Sequence, residues 1–232
     1  MIKYFITGTD TGVGKTVFSL LLMQLLYSKG HNPFYFKPVQ TGCKYPYDTD
    51  SDARFIYENI ESLNSKNPEN SIGYCFKMPK APYFASKAEG IKININNIQD
   101  IIDTKKNVHS HMVIEAAGGL LVPFDNKLMI IDLIKIFQVK PILVSRAGLG
   151  TINHTLLSLE ALKNRNIKPA GVVFMDNAYP PTPSDFVKEN IYAIEKESQI
   201  PVIGVINKID DFSKPGEDCH ENMKQIGDAL GL

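Results

Sequence analysis

The sequence predicts an α/β fold, a mainly parallel sheet covered by helices on both faces. Short apolar runs of strand length alternate along the chain with longer segments whose apolar residues recur at helical spacing. The runs read as strands buried on both faces, which is what a sheet with helices above and below it demands. With 232 residues, 44% of them hydrophobic and 22% charged, the chain has an ordinary globular composition, and a single domain over residues 1–232 is expected.

Taken in order, the strand candidates are Ile2–Thr7, Pro33–Lys37, Met112–Ala116, Pro141–Ser145, Ala170–Met175 and Pro201–Ile206. Between them, Lys15–Lys29, Ser51–Leu63, Ile95–Thr104, Ile130–Phe137, Thr151–Asn166 and Ser184–Ser198 carry helical periodicity. Asn94 or Asn96 and Ser184 stand where caps would be, and one further helix precedes the C-terminus. Two segments rich in Pro, Gly, Asn and Tyr, Thr41–Asp50 and Ser65–Gly90, read as ordered loops over a site or as a small lid. In such sheets ligands bind outside the carboxyl ends of the strands, so the loops that follow each strand carry the chemistry.

Charge and cysteine usage narrow the partners. Lys plus Arg and Asp plus Glu both number 25, so no global field favours nucleic acid or an anionic membrane, and any anion must be held locally. The apolar stretch Val17–Leu26 follows a glycine loop and is too short to span a bilayer, so no membrane anchor is expected there. Cys43, Cys75 and Cys219 are odd in number and show no C-x-x-C spacing, which predicts neither a disulfide framework nor a structural zinc site and fits a reducing, cytoplasmic compartment.

The strand Ile2–Thr7 runs into Gly8-Thr9-Asp10-Thr11-Gly12-Val13-Gly14-Lys15-Thr16 and then into a helix, the context that a phosphate-binding loop requires. Its glycines let backbone N–H groups converge on phosphate oxygens at a helix N-terminus. Lys15 neutralises the β and γ phosphates, and the Thr16 hydroxyl ligates Mg²⁺. Five residues separate Gly8 from Gly14 where the strict pattern has four. The fold class sharpens accordingly to a three-layer P-loop fold.

Two other strand ends supply charge. Lys37-Pro38-Val39-Gln40-Thr41-Gly42 places a lysine at the ligand edge, either as a second fixed cation beside the γ phosphate or as a solvated strand-end lysine. Glu115-Ala116-Ala117-Gly118-Gly119 places a carboxylate there, as a direct or water-mediated Mg²⁺ ligand or as a solvated glutamate.

These blocks, with Asp52, Tyr74-x-Phe76-x-x-Pro79-x-x-Pro82, Glu89-Gly90 and Gly148-Leu149-Gly150-Thr151-Ile152-Asn153-His154, resemble in order and spacing the dethiobiotin synthetases, from Ile2 to about Pro181. The resemblance implies ATP-dependent ureido-ring closure on 7,8-diaminopelargonic acid with CO₂, through a carbamate and a carbamic–phosphoric anhydride. It implies catalytic roles for Lys37, Lys15 and Thr11. The nucleotide would be held by Gly12, Val13, Gly14, Lys15, Thr16, Val17, Asp52, Glu115, Ala116, Ala117, Gly118, Asp176 and Asn177, and Mg²⁺ by Thr16, Asp52 and Glu115. Thr41 would contact the substrate, and Gly148, Leu149, Gly150, Thr151 and Asn153 would hold its carboxylate across the interface of a homodimer.

The family's adenine-reading Asn-Asp is replaced here by Phe174-Met175-Asp176-Asn177, with one apparent insertion, and Asn207-Lys208-Ile209-Asp210 resembles the guanine-reading motif of GTP-binding proteins. GTP or CTP are therefore candidate replacements for ATP. Two other classes share the phosphate loop. Partitioning and cell-division ATPases add an early loop lysine, which Thr9-Asp10-Thr11 lacks, and a metal-centre GTPase would draw on His109 and His111.

Overall fold

The computed structural model describes residues 1–232. Seven strands form one sheet: β1 (Ile2–Gly8), β2 (Pro33–Thr41), β3 (Ile72–Phe76), β4 (His111–Gly119), β5 (Lys140–Arg146), β6 (Gly171–Asp176) and β7 (Val202–Asn207). They are ordered β3-β2-β4-β1-β5-β6-β7, and every pairing is parallel. Parallel neighbours need crossovers, and helices supply most of them. These are α1 (Lys15–Ser28), α2 (Asp52–Glu58), α3 (Pro82–Glu89), α4 (Ile95–Lys105), α5 (Asp132–Ile136), α6 (Thr151–Lys163) and α7 (Ser184–Ser198), with α8 (Glu217–Leu230) closing the chain.

Alternation along each strand divides the core into two layers. Tyr4, Ile6, Tyr35, Val113, Val144 and Val173 face α1, α2 and α8, whereas Phe5, Phe34, Phe36, Ile114, Leu143 and Phe174 face α3 to α7. The helix after β1 therefore lies on one face of the sheet and the helix after the neighbouring β4 on the other. Connections that diverge from adjacent strands leave a crevice at their carboxyl ends, and this is where the glycine loop opens.

The structure departs from the sequence expectations at identifiable places. The segment Ser65–Gly90 is a loop over the site only around Pro79–Ala81, which line the cleft; the rest holds a 3-10 turn at Pro68–Ser71, the edge strand β3 and the helix α3, which opens on Pro82. Five residues containing Gly73 and Cys75 gave too short an apolar pattern to register as a strand. β2 does not stop at Lys37 but continues to Thr41. It pairs with β4 over Pro33–Phe36 and with β3 over Lys37–Thr41, so Pro38, which lacks an N–H, sits where the strand changes partner. The helix expected to reach Leu63 ends at Glu58, where Asn59 turns its side-chain amide back to the Phe55 carbonyl at 2.8 Å. Asn94 caps α4 by accepting from the Asn96 N–H at 3.0 Å, but Ser184 is the first helical residue of α7 and makes no capping bond.

The C-terminal helix docks through one close contact. A Cβ on Gly204 of β7 would lie 2.5 Å from Ile226 Cγ1, and Ile226 is fully buried. Ile226→Ala should lower stability to urea unfolding by about 2–5 kcal/mol, with the denaturant slope unchanged. A loss below about 1 kcal/mol would show that α8 lies outside the cooperative core.

Candidate functional site

Between β1 and α1 the loop curls so that Gly12 and Gly14 both take left-handed backbone conformations, with φ of 70° and 98°. Gly14 is doubly constrained, because a Cβ there would also lie 2.8 Å from Met175 Cγ. Lys15 is buried and donates its Nζ to the Asp10 carbonyl at 2.8 Å, folding its charge back over the loop. Desolvation, reinforced by the nearby charge of Lys37, lowers its pKa to about 8.

Beneath the loop, four elements meet in one ionic cluster. Lys37 of β2 lies 2.6 Å from Asp52 Oδ2 at the start of α2 and 2.7 Å from Glu115 Oε1 of β4. Glu115 is only 1% exposed, and its other oxygen accepts from the Tyr35 hydroxyl at 2.9 Å. Burial alone would lower the Lys37 pKa, but Asp52 and Glu115 outweigh it and raise it. Likewise burial would raise the Asp52 pKa, and the Lys37 ammonium overrides this and lowers it. Lys37 is thus a buried mid-strand cation, not a solvated strand-end lysine, and Glu115 is not a solvated glutamate.

The Thr16 hydroxyl of α1 stands 2.8 Å from both Asp52 Oδ1 and Glu115 Oε1. A hydroxyl has one proton and can donate to one of these carboxylates at a time, while Lys37 serves both. A hard divalent cation suits such a set of oxygens, and the three groups fit Mg²⁺ by donor chemistry.

The cluster forms the floor of a cleft of about 680 Å³. The phosphate loop supplies Thr11, Gly12, Gly14, Lys15, Thr16 and Val17 to its walls, and β2 and α2 supply Lys37, Thr41 and Asp52. Glu115, Ala117, Gly118 and Asn177 complete the expected residues found there. Val13 and Ala116 are instead packed into the core below, on opposite faces of the sheet. Other expected residues lie elsewhere. Asp176 is buried with both carboxylate oxygens bonded within its own loop, to Ala178 N–H at 3.3 Å and to the Thr182 N–H and hydroxyl at 2.8 and 3.0 Å. At the start of α6, Gly148 precedes Leu149, which is 92% exposed, and Gly150 turns with φ 87°. Thr151 is buried against Ser145 at 2.9 Å. Leu149, Gly150 and Asn153 line a separate apolar groove of about 490 Å³ with Leu156, Leu157 and Phe186. Lys208 reaches over the Tyr179 ring at 5.7 Å, and Asp210 is exposed outside the phosphate cleft. His111 starts β4, at the opposite end of that strand from the cleft, and packs on His31 at 4.3 Å, while His109 packs on Phe34 at 5.1 Å.

Sequence reasoning passed over several residues of this site. Gln40 accepts from the Asp52 N–H at 3.2 Å and so positions the start of α2, and Asp50, Lys80 and Ala81 join Pro79 and Pro82, which the sequence motif had included, in the outer wall. Gln40 stood inside a quoted motif, but Tyr35 gave no signal beyond its place two residues before Lys37.

Comparison with known proteins places the chain. A family model described as an AAA domain matches residues 3–216. The ATP-dependent dethiobiotin synthetase of Lysinibacillus sphaericus is 37% identical over 92% of this chain and 90% of its own length. That of Methanocaldococcus jannaschii is 35% identical over 90% and 95%. Among solved structures, the MinD cell division protein of Aquifex aeolicus superposes with a TM-score of 0.59 at 13% identity, covering 100% of this chain and 98% of that one. The pNOB8 ParA protein bound to nonspecific DNA superposes with a TM-score of 0.64 at 12% identity, covering 99% and 98%. At such identities these structures share the fold alone. The fold, the phosphate loop and the relatives covered nearly end to end agree that the chain belongs to the dethiobiotin synthetase family.

Proposed function

We propose that this chain joins 7,8-diaminopelargonic acid and CO₂ into the ureido ring of dethiobiotin at the expense of ATP. The observation that carries the reading is the pair of buried lysines, Lys15 and Lys37, lining one cleft above the Thr16, Asp52 and Glu115 oxygens. One substrate amine attacks CO₂ and loses a proton, giving a carbamate. A carbamate oxygen then attacks the γ phosphorus, and the bond to the β–γ bridging oxygen breaks to release ADP. The second amine attacks the carbamoyl carbon of this anhydride, the ring closes, and phosphate leaves. The second of these steps brings two anions together, so cations fixed beforehand in a desolvated cleft lower its barrier by holding the reactants and the spreading charge.

Lys15 and Lys37 hold the γ phosphate and the carbamate, Thr11 lies between nucleotide and substrate, and Thr41 orients the reacting amine. Thr16, Asp52 and Glu115 would hold Mg²⁺, which would supply positive charge to offset that of the phosphates. The Gly148–Asn153 turn opens away from the phosphate cleft of its own chain, and the exposed Leu149, Ile152 and Leu157 beside it form an apolar surface that suits a two-fold partner. In that homodimer the turn holds the substrate carboxylate in the site of the partner subunit. A cytoplasmic location accords with this chemistry.

Phosphate release should require both the diamine and CO₂; release that ignores them would point to a nucleotide switch. Lys37→Ala should lower turnover by a factor on the order of 10² to 10³ or more. The same change strands the buried Glu115 carboxylate and removes the partner of the part-exposed Asp52, and should cost about 3–5 kcal/mol in urea unfolding. Turnover near wild type in that variant would overturn the mechanism.

Mixing inactive Lys37→Ala protein with an inactive Asn153→Ala variant should restore activity by forming one intact site per mixed dimer. A fully active monomer in sedimentation would contradict the shared site.

With Asp176 tied to its own loop and Asp210 outside the cleft, few groups remain to read the base. GTP and CTP should therefore support turnover within about tenfold of ATP, since a site without a committed base hydrogen bond has little with which to discriminate. Asp210→Ala should affect ATP and GTP equally. A thousandfold rejection of GTP would reveal a committed base contact.

A further inference from the structure

Behind the wall of the cleft, the fold joins two cysteines that lie 32 positions apart in the sequence. Cys43 stands on the turn that leaves β2, directly after Thr41 and Gly42, and Cys75 stands in β3. Their sulfur atoms are 3.4 Å apart, and the Cys75 thiol also reaches the Cys43 carbonyl oxygen at 3.3 Å. Neither contact comes from chance crowding of the turn. The strands are hydrogen-bonded neighbours with Gln40 opposite Cys75, and the Gly42 N–H donates to the Phe76 carbonyl at 2.9 Å, so the backbone holds the thiols face to face. A disulfide needs about 2.05 Å between sulfurs, so a further approach of about 1.3 Å would close the bond. Cys219, the third cysteine, is on α8 and takes no part in this contact.

The two thiols are chemically unequal. Cys75 is partly exposed and Cys43 is buried. Either thiol can donate in the contact between the sulfurs, and that contact holds the Cys75 pKa below its ordinary value, against the opposing effects of burial and the Asp48 and Glu89 carboxylates. The same hydrogen bond, then burial, pushes Cys43 up. An accessible sulfur with thiolate character beside a buried protonated one is the arrangement of an attacking and a resolving cysteine.

We infer that Cys43 and Cys75 are a dithiol that closes reversibly to a disulfide on exposure to hydrogen peroxide, stapling the β2–α2 turn to β3 beside the cleft. The Cys75 thiolate attacks peroxide: an S–O bond forms, the O–O bond breaks, and the departing hydroxide takes a proton to become water. The Cys43 sulfur gives up its proton and attacks Cys75; an S–S bond forms, the S–O bond breaks, and a second water leaves. Two thiols lose two electrons, and one peroxide becomes two waters. The staple bears on the cleft because Thr41, which lines it, adjoins the turn, and Gly42 faces Pro79 of the opposite wall closely enough that an added Cβ would touch it at 3.5 Å. Its effect on turnover, though not the bond itself, rests on the proposed synthetase activity.

The test treats the whole protein with hydrogen peroxide, blocks remaining thiols with iodoacetamide and maps the peptides by mass spectrometry. A Cys43–Cys75 linked peptide short of two hydrogens is expected, with Cys219 alkylated, and dithiothreitol should return all three thiols. Turnover of the oxidised protein should fall and recover on reduction, and Cys43→Ser should be insensitive on peroxide timescales that inhibit the wild type. Alkylation of both Cys43 and Cys75 after peroxide, or linkage of either to Cys219 or to a second chain, overturns the pair. A linked protein that turns over unchanged overturns the effect on the cleft. A fully reduced protein with no diamine-dependent turnover overturns the synthetase reading and leaves the linked peptide as its own result.

Discussion

The buried ion cluster of Lys37, Asp52 and Glu115 is the constraint on which the site depends. Charges removed from water are tolerable only if each is matched, and here buried Lys37 serves buried Glu115 at 2.7 Å and part-exposed Asp52 at 2.6 Å, while Tyr35 serves the remaining Glu115 oxygen. Because these groups belong to β2, α2 and β4, and Thr16 brings in α1, satisfying the charges fixes four elements against each other. Gln40 adds the last restraint through the Asp52 N–H. The phosphate loop stands on this foundation, since Thr16 is both its final residue and a member of the cluster. Net hydrophobic burial holds the sheet together, but it does not choose the register that sets Lys37 beneath Lys15; matching of buried charge does.

This explains why a cleft built for anions can be stable before anions arrive. Lys15 folds onto the Asp10 carbonyl and has its charge weakened by burial, whereas Lys37 has its charge secured by two partners. The two lysines thus differ in what a phosphate would do to them. A triphosphate would give Lys15 the counter-charge that it lacks, and would compete with carboxylates for Lys37. A divalent cation at the Thr16, Asp52 and Glu115 oxygens offers those carboxylates a replacement partner, so under the proposed function the cation and the freed lysine are complementary requirements.

Much of the fold was legible because local and global signals agreed. The glycine loop between an apolar strand and a helix, the carboxylate on a later strand, and alternation of strand and helix all pointed to one architecture. What escaped was set by tertiary context. β3 is a short edge strand whose pairing with the second half of β2 no local pattern announces, and the placement of Pro38 at the exchange of partners made β2 read as ending four residues early. The depth of Lys37 could not be inferred from its type, since lysine is ordinarily exposed and only two unseen carboxylates justify its burial. Asp176 shows the reverse case: a carboxylate in a suggestive position proves to be holding its own loop through Thr182 and Ala178.

Fold likeness alone would have left the function open. The cell-division and partitioning proteins superpose over the whole chain at 12–13% identity, so the sheet order and the phosphate loop constrain the nucleotide and not the reaction. What separates the readings is the chemistry beyond the phosphates. A switch protein needs a surface that changes when phosphate leaves, whereas a synthetase needs a second fixed cation and room for a second substrate beside it. Here Lys37 faces the same cleft as Lys15, and the wall beyond it is built from Thr41 at the end of β2, Pro79 in the connection after β3 and Pro82 at the start of α3. A second buried cation beside the first, with a walled space next to it, is what a second small anionic reactant needs, which favours the synthetase on physical grounds independent of its relatives.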